Sequence, residues 1–301
     1  MLLDVLVEKD FPINNLVLCA SEKSLGKEIK VKDKFYSINL ICNEIFKDIN
    51  FAFFCAGSSV SKYWVKIALD SGCIVIDNSS YFRMKEDCSL IIPEVNFNDL
   101  NTSGIIANPN CSTIQSVICL NALKKFKFKR IIYTTYQSIS GSGNNALINR
   151  ESFYPYDINK TCIPKIDEYL ENGYTLEEMK MINETKKILN LPNLCVTSTC
   201  VRVPVDYSHG VNVLVEFENE FSTEEVLEEL KKQEGIVIVE TPTSIHSNGN
   251  DMVYIGRIKK DISNPKTLMF YCVADNIRRG AASNAVLIAL KIIKNGIAYK
   301  I

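Results

Sequence analysis

The sequence predicts an α/β protein: a Rossmann-like nucleotide-binding domain joined to an α+β domain built on a mixed sheet. Three observations lead there. Between residues 15 and 108 short apolar runs (15–20, 51–56, 73–76, 90–95 and 104–107) alternate with helical patterns, and such near-continuous apolar runs are typical of parallel strands covered on both faces. From about 126 to 275 the runs lengthen, and several alternate apolar with polar residues as half-buried strands do. The chain then ends in a densely apolar helical stretch, NAVLIALKIIKNG. A length of 301 residues suits two domains of ordinary size. The expected limits are 1–110 with 276–301 for the first domain and 111–275 for the second.

Taken in order, residues 2–8 read as a helix through Leu2, Leu3, Val5 and Leu6, followed by Phe11-Pro12. The run 15–20 is the first strand, and Ala20-Ser21-Glu22-Lys23-Ser24 is a polar loop after it. The strand 51–56 leads through Gly57 into a helix from Ser58 that includes KYWVKIALD, with Gly72 as its stop. In the second half, KFKRIIYTTYQSIS, NLCVTSTCVRVPV, HGVNVLVEFE, IVIVET, MVYIGRI and LMFYCVAD read as strands. One intervening helix is opened by the capping box Ser222-Thr223-Glu224-Glu225. A doubly wound domain ordinarily opens with a strand and a glycine-rich turn whose N–H groups meet the cofactor phosphates. Neither precedes the 2–8 helix, and the one match to G-x-G-x-x-G/A, Gly141-x-Gly143-x-x-Ala146, falls in the second domain. The expectation is therefore a chain that starts late, through a misplaced start codon or a deletion.

Hydrophobic residues make up 47% and charged residues 23%, with a net charge of −1, so nothing attracts nucleic acid or an anionic membrane. The N-terminus, MLLDVLVEKDF, carries acids where a signal peptide needs bases. The apolar stretch 285–293 is interrupted by Lys291 and falls short of the roughly 20 residues of a membrane span. A cytoplasmic protein is expected. Eleven cysteines, an odd number without a C-x-x-C pair, argue against a disulfide scaffold. Cys19, Cys55, Cys73, Cys119 and Cys272 sit in apolar runs and read as small buried hydrophobes.

One cysteine differs in setting. Ile105-Ile106-Ala107-Asn108-Pro109-Asn110-Cys111-Ser112-Thr113 reads as a strand, a tight turn, and Cys111 at a helix start. A helix N-terminus carries about half a positive charge, which stabilises a thiolate. Its N–H groups, with the Asn110 amide, suit an oxyanion; the alternative is one more buried thiol. A thiolate nucleophile needs an acid–base partner, and there are two histidines. His209 follows a strand in Arg202-Val203-Pro204-Val205-Asp206-Tyr207-Ser208-His209, close to an arginine, whereas His246 lies in a polar turn and reads as solvated.

Asn108-Pro109-Asn110-Cys111-Ser112-Thr113-Ile114-Gln115 resembles the nucleophile motif of aspartate-semialdehyde dehydrogenases. Thr135-Tyr136-Gln137-Ser138-Ile139-Ser140-Gly141-Ser142-Gly143 resembles that family's substrate-orienting glutamine and glycine turn, and Arg202 through His209 its arginine–histidine segment. The segments 77–84, 177–185 and 275–282 resemble three more of its motifs, in register over nearly the whole chain. The resemblance implies a Cys111 nucleophile, His209 as general acid–base, and Gln137 and Asn110 in catalysis. It puts Arg202 on the carboxylate of L-aspartyl 4-phosphate, Arg83 and Lys180 on its phosphate, and Glu177 near its ammonium. It implies NADP as cofactor, held by Ser21 and Lys23 at the 2′-phosphate, with Ser58, Ser140, Gly141, Gly143 and Asn276 as further contacts. It also implies a homodimer formed through the second domain's sheet. On the family pattern about twenty N-terminal residues, with the first strand and glycine loop, are absent. Three alternatives stay open: another acyl-phosphate reductase such as N-acetylglutamyl-phosphate reductase or a glyceraldehyde-phosphate dehydrogenase, a cysteine hydrolase built on Cys111 and His209, and a remnant unable to bind NADP.

Overall fold

In the computed structural model, which describes residues 1–101 and 103–297, the chain forms two units. The first comprises Met1–Ile91, Asp99–Asn108 and the chain from Ala282 onward. Helix α1 (Leu2–Glu8) leads to strand β1 (Leu18–Cys19), which pairs in parallel with β3 (Lys34–Asn39). Strand β2 (Glu28–Val31) pairs antiparallel with β3, completing a three-stranded sheet. Next come β4 (Phe51–Phe54), α2 (Ser58–Asp70), β5 (Ile74–Asp77), β6 (Ser89–Leu90) and β7 (Ile105–Ala107), with all four strands parallel in the order β4-β5-β7-β6. Strands β4, β5 and β7 with helix α2 thus build the α/β layer expected of them, whereas the run 15–20 yields only the two-residue β1, in the separate three-stranded sheet, and Gly72, at φ 92°, ends the turn after α2. Val75, Ile76, Ile106 and Ala107 have no measurable exposure. At about 1.5–3 kcal/mol for each large apolar side chain buried, this central pair of strands anchors the unit.

Two readings of this half are corrected. The run 90–95 is not a strand throughout: after β6 the chain turns at Pro93 into the short helix α3 (Pro93–Asn96). Proline occupies its first turn, where a missing N–H costs nothing. Cys19 and Cys55 are exposed, whereas Cys73, Cys119 and Cys272 are buried as expected.

The second unit is Ile92–Asn98 with Pro109–Ala281. The observed boundaries therefore fall a few residues from the expected ones, and the α3 segment belongs to the second unit. Residues 298–301 of the expected first domain lie outside the described residues. Here α4 (Cys111–Asn121) is followed by β8 (Phe128–Gln137), short helices α5 (Asn144–Ile148) and α6 (Arg150–Phe153), and α7 (Leu176–Leu189). Strands β9 (Cys195–Arg202) and β10 (His209–Phe217), helix α8 (Thr223–Lys232), β11 (Ile236–Ile238), α9 (Ser244–Ser247), β12 (Val253–Asp261) and β13 (Asn264–Ala274) complete it. A π-helical turn, Arg278–Ser283, then passes the chain into α10 (Asn284–Lys294) of the first unit.

The six strands form one mixed sheet, β11-β12-β13-β10-β8-β9. Alternation sorts its faces: Ile131, Tyr133, Thr135 and Gln137 of β8 are buried, while Arg130 and Tyr136 point the other way and are exposed. The inner face packs on α4, of which every residue from Ser112 to Leu120 is buried. Helix α7 lies against α4 and β9. Its start is a full capping box: Thr175 Oγ1 accepts the Glu178 N–H and Glu178 accepts the Thr175 N–H. Its end is Asn190 in the left-handed conformation, φ 57°. No helix among the described residues is long and apolar enough to cross a membrane.

Candidate active site

Cys111 is the first residue of α4 and remains partly accessible while the residues after it are buried. Asn110 explains the helix start. Its Oδ1 accepts the N–H groups of Ser112 at 2.9 Å and Thr113 at 3.3 Å, which is an N-cap. Its own N–H donates to Glu184 Oε2 at 2.6 Å, and its Nδ2 donates to Glu177 Oε1 at 2.8 Å. The sequence suggested this amide for an oxyanion; in the structure it clamps the turn before Cys111 between two carboxylates of α7. Opposite, Gly280 in the π-helical turn leaves no room for a side chain, since a Cβ there would lie 2.5 Å from Cys111 Cβ. Its N–H donates to the Asp275 carbonyl at 2.9 Å, the five-residue bond of a π-turn, and such turns cluster at functional sites.

His209, at the start of β10, is fully buried. Its Nδ1 accepts the Ser138 N–H at 3.0 Å, so the neutral ring carries its proton on Nε2. That Nε2 has no hydrogen-bond partner among the described residues and is aimed at Gly141: a Cβ on Gly141 would come within 2.9 Å of it and 2.7 Å of Arg202 Nη1. A buried donor without a partner is costly unless a ligand atom completes it. Burial above all, and then the Arg202 charge, pushes the imidazole down to about 3, with Glu177 opposing, so the ring is neutral at physiological pH. Arg202 Nη1 donates to the Ser138 carbonyl at 2.6 Å. Ser138 therefore fixes the tautomer of the histidine and the position of the arginine together, a role its sequence gave no sign of. His246 is exposed, its Nδ1 on Thr243.

Glu177 is the hub. Its Oε1 accepts from Asn110 Nδ2 and from Gln137 Nε2 at 3.0 Å, and its Oε2 meets Lys180 Nζ at 3.0 Å. Burial alone would raise its carboxyl, but the Lys180 charge and the three hydrogen bonds hold it at about 2. Residues 177, 180 and 184 share one face of α7, and the helix period brings all three to the site. Glu184 falls in the 177–185 motif without a role of its own, though its spacing from Glu177 places it on the same helix face, and Asp167, the other partner of Lys180, carries no sequence signal.

The remaining expected residues divide between the units. In the second, Asn276 Oδ1 accepts from Ser138 Oγ and Ser140 Oγ, both at 3.1 Å, and from the Ser208 N–H at 2.9 Å, which orients its amide. Gly143, at φ 90°, has open space around it. In the first, β4 runs through Gly57 into α2, whose N-cap makes no side-chain hydrogen bond and has open space around it. An uncapped, uncrowded helix start after a parallel strand fits a nucleotide's phosphate or ribose. Ser58 Oγ lies 3.2 Å from Ser80 Oγ there; Ser21 and Lys23 are exposed at a short 3₁₀ turn. Arg83, also of this unit, is buried and donates from Nη2 to the Asn78 carbonyl at 3.0 Å.

Residues 1–103 match the family model described as semialdehyde dehydrogenase, NAD binding domain, and residues 120–279 match that described as semialdehyde dehydrogenase, dimerisation domain. The aspartate-semialdehyde dehydrogenase of Aquifex aeolicus is 42% identical over 98% of this chain and 94% of its own length. The chain belongs to the aspartate-semialdehyde dehydrogenase family. The Campylobacter jejuni member is likewise 42% identical, over 96% of this chain and 92% of its own. Among solved structures, aspartate-semialdehyde dehydrogenase II from Vibrio cholerae superposes with a TM-score of 0.92 at 38% identity, covering 98% of this chain and 95% of that one. A second structure of that protein is described as complexed with ASA and gives a TM-score of 0.91. As a member of this family the chain is an oxidoreductase that uses a nicotinamide cofactor.

Proposed function

We propose that the chain reduces L-aspartyl 4-phosphate to L-aspartate 4-semialdehyde with NADPH, releasing phosphate, through a thioester on Cys111. The observation that carries this reading is the convergence on one sheet face of a helix-start thiol, a buried neutral histidine with a free Nε2, and the Glu177–Lys180 and Arg202 charges. A carboxylate and a phosphate on one small molecule call for separate cations, and Arg202 and Lys180 suit these roles. Glu177, ionised and buried, suits the substrate ammonium.

The α4 N-terminus favours the Cys111 thiolate. The sulfur attacks the acyl carbonyl, and the C–O bond to phosphate breaks with its electron pair leaving on the phosphate, which Lys180 stabilises. Gln137, held by Glu177 and Thr135, orients the acyl group. When bound, the nicotinamide supplies the hydride that reduces the thioester carbonyl. His209 Nε2–H donates to the carbonyl oxygen as it gains negative charge, and acts as acid–base at that atom until the C–S bond breaks and the thiolate is regenerated. Asn110 holds the nucleophile in place. Asn276, Ser140 and the Gly141–Gly143 turn would contact the nicotinamide side of the cofactor, Ser58 its ribose–phosphate part, and Ser21 with Lys23 the 2′-phosphate that selects NADP.

We place the homodimer contact on the outer sheet face. There Ile132, Leu214 and Met269 form a half-buried cross-strand row, with Tyr136 and Tyr271 beyond it. The test of function is NADP reduction by aspartate semialdehyde and phosphate. Phosphate-dependent turnover that falls by about 10³-fold or more in Cys111→Ser is expected. Near-normal turnover in that variant would overturn the assignment.

A further inference from the structure

Lys180 meets two carboxylates, and they differ in kind. Besides Glu177 Oε2, its Nζ contacts Asp167 Oδ2 at 2.6 Å. The Asp167 backbone stands at φ 67°, a left-handed conformation that aspartate adopts only at a cost in strain. Its segment is fastened on both sides. Ile163 and Arg202 exchange backbone hydrogen bonds of 2.9 and 2.8 Å, and the Leu176 N–H donates to the Glu168 carbonyl at 3.0 Å. A strained residue held between two anchors thus sets a carboxylate on the ammonium.

We infer that Asp167 is an internal competitor of the substrate phosphate for Lys180: it holds the ammonium in place when no phosphate is bound, yields when phosphate arrives, and so sets phosphate affinity. The inference rests on Lys180 as the phosphate-binding cation. Exposure decides which carboxylate yields. The Asp167 side chain is 42% exposed and that of Glu177 7%. Water can therefore solvate Asp167 once it is displaced, whereas Glu177 is tied to Asn110 and Gln137 and stays. The ammonium has three donors, so exchange of Asp167 for a phosphate oxygen keeps it satisfied without disturbing Glu177.

Asp167→Asn removes the charge and keeps both the shape and a residue tolerant of the left-handed backbone. Phosphate affinity should rise about three- to fivefold, the size of one partly exposed ion pair. It is read twice: as KM for phosphate in the semialdehyde-oxidising direction, and, without turnover, as the inorganic phosphate concentration giving half the maximal rise in Tm. The change should be confined to phosphate, with KM for the semialdehyde holding steady, and Asp167→Gly should act alike. An unchanged or weakened phosphate affinity overturns the inference. The same pair is measured in a Lys180→Ala background, where Asp167→Asn should have no effect. Equal gains with and without Lys180 would mean a general field effect and overturn it too. If Lys180→Ala alone leaves phosphate affinity intact, the role given to Lys180 fails, and the inference falls with it for that distinguishable reason.

Discussion

Replacing Gly280 by alanine tests how closely Cys111, the proposed nucleophile, is positioned. The added Cβ would sit 2.5 Å from Cys111 Cβ and 3.0 Å from its Cα, where ordinary contact begins at 3.4 Å. The two groups must therefore part by about 1 Å, and the π-turn is poorly placed to give way. The Gly280 N–H is held by Asp275, the Arg278 guanidinium by Asp251 at 2.7 Å, and the neighbouring, fully buried Arg279 by Glu94 at 2.9 Å. The displacement falls on Cys111. A shift of about 1 Å in a reacting group lowers rate by about 10²-fold, so kcat should fall about a hundredfold. Overpacking should also lower stability by about 1–3 kcal/mol. The assay pairs kcat with the pH dependence of Cys111 alkylation by iodoacetamide, and Tm confirms a folded variant. A folded Gly280→Ala enzyme with kcat within about threefold of the parent, and an unaltered alkylation profile, would refute the positioning argument.

Acid should destabilise the protein through His209. The folded state takes up that proton only near 3 while an unfolded chain does so near 6.5, so the folded state binds fewer protons between these values. Stability should then drop as pH falls from 6.5 toward 3, by at most about 1.4 kcal/mol per pH unit from this residue. His209→Gln should flatten the urea-unfolding difference between about pH 7 and pH 5, and an equal slope in both proteins counts against it. Lys180→Met leaves the buried Glu177 carboxylate without its cation, and should cost about 1–3 kcal/mol in denaturant unfolding at neutral pH. A variant as stable as the parent would show that the hydrogen bonds of Asn110 and Gln137 suffice. Lys23→Ala should weaken NADP binding by about three- to tenfold in a fluorescence titration and leave NAD binding nearly unchanged; equal loss of both would remove Lys23 from the 2′-phosphate.

Much of this was legible because apolar periodicity and local chemistry coincide. The six strands of the second sheet, the start of α4 at Asn110 and the box at Ser222 all carry their signals within a few residues. The hairpin β2–β3 passed unread because Lys30, Lys32, Asp33 and Lys34 give it an exposed, charged surface without a core-facing alternation. The capping box at Thr175, three residues before Glu178, is a local helix-start signal of the same kind as that at Ser222. Ser138, Asp167 and Gly280 are of another kind. Each acts through a partner distant in sequence, His209, Lys180 and Cys111, and neither propensity nor spacing announces such a meeting.

Helix α7 makes the site sensitive to counting rather than to composition. Glu178 both closes the capping box and accepts the Cys200 N–H of β9 at 3.1 Å, which fixes the angle at which the helix leaves the sheet. From that origin each residue advances about 100° in azimuth. Inserting or deleting one residue between Glu178 and Glu184 would swing Glu184 away from the Asn110 N–H, with every amino acid of the site still present. The length of this stretch, more than the identity of its outward side chains, therefore sets the register between Glu177, Lys180 and the turn at Cys111.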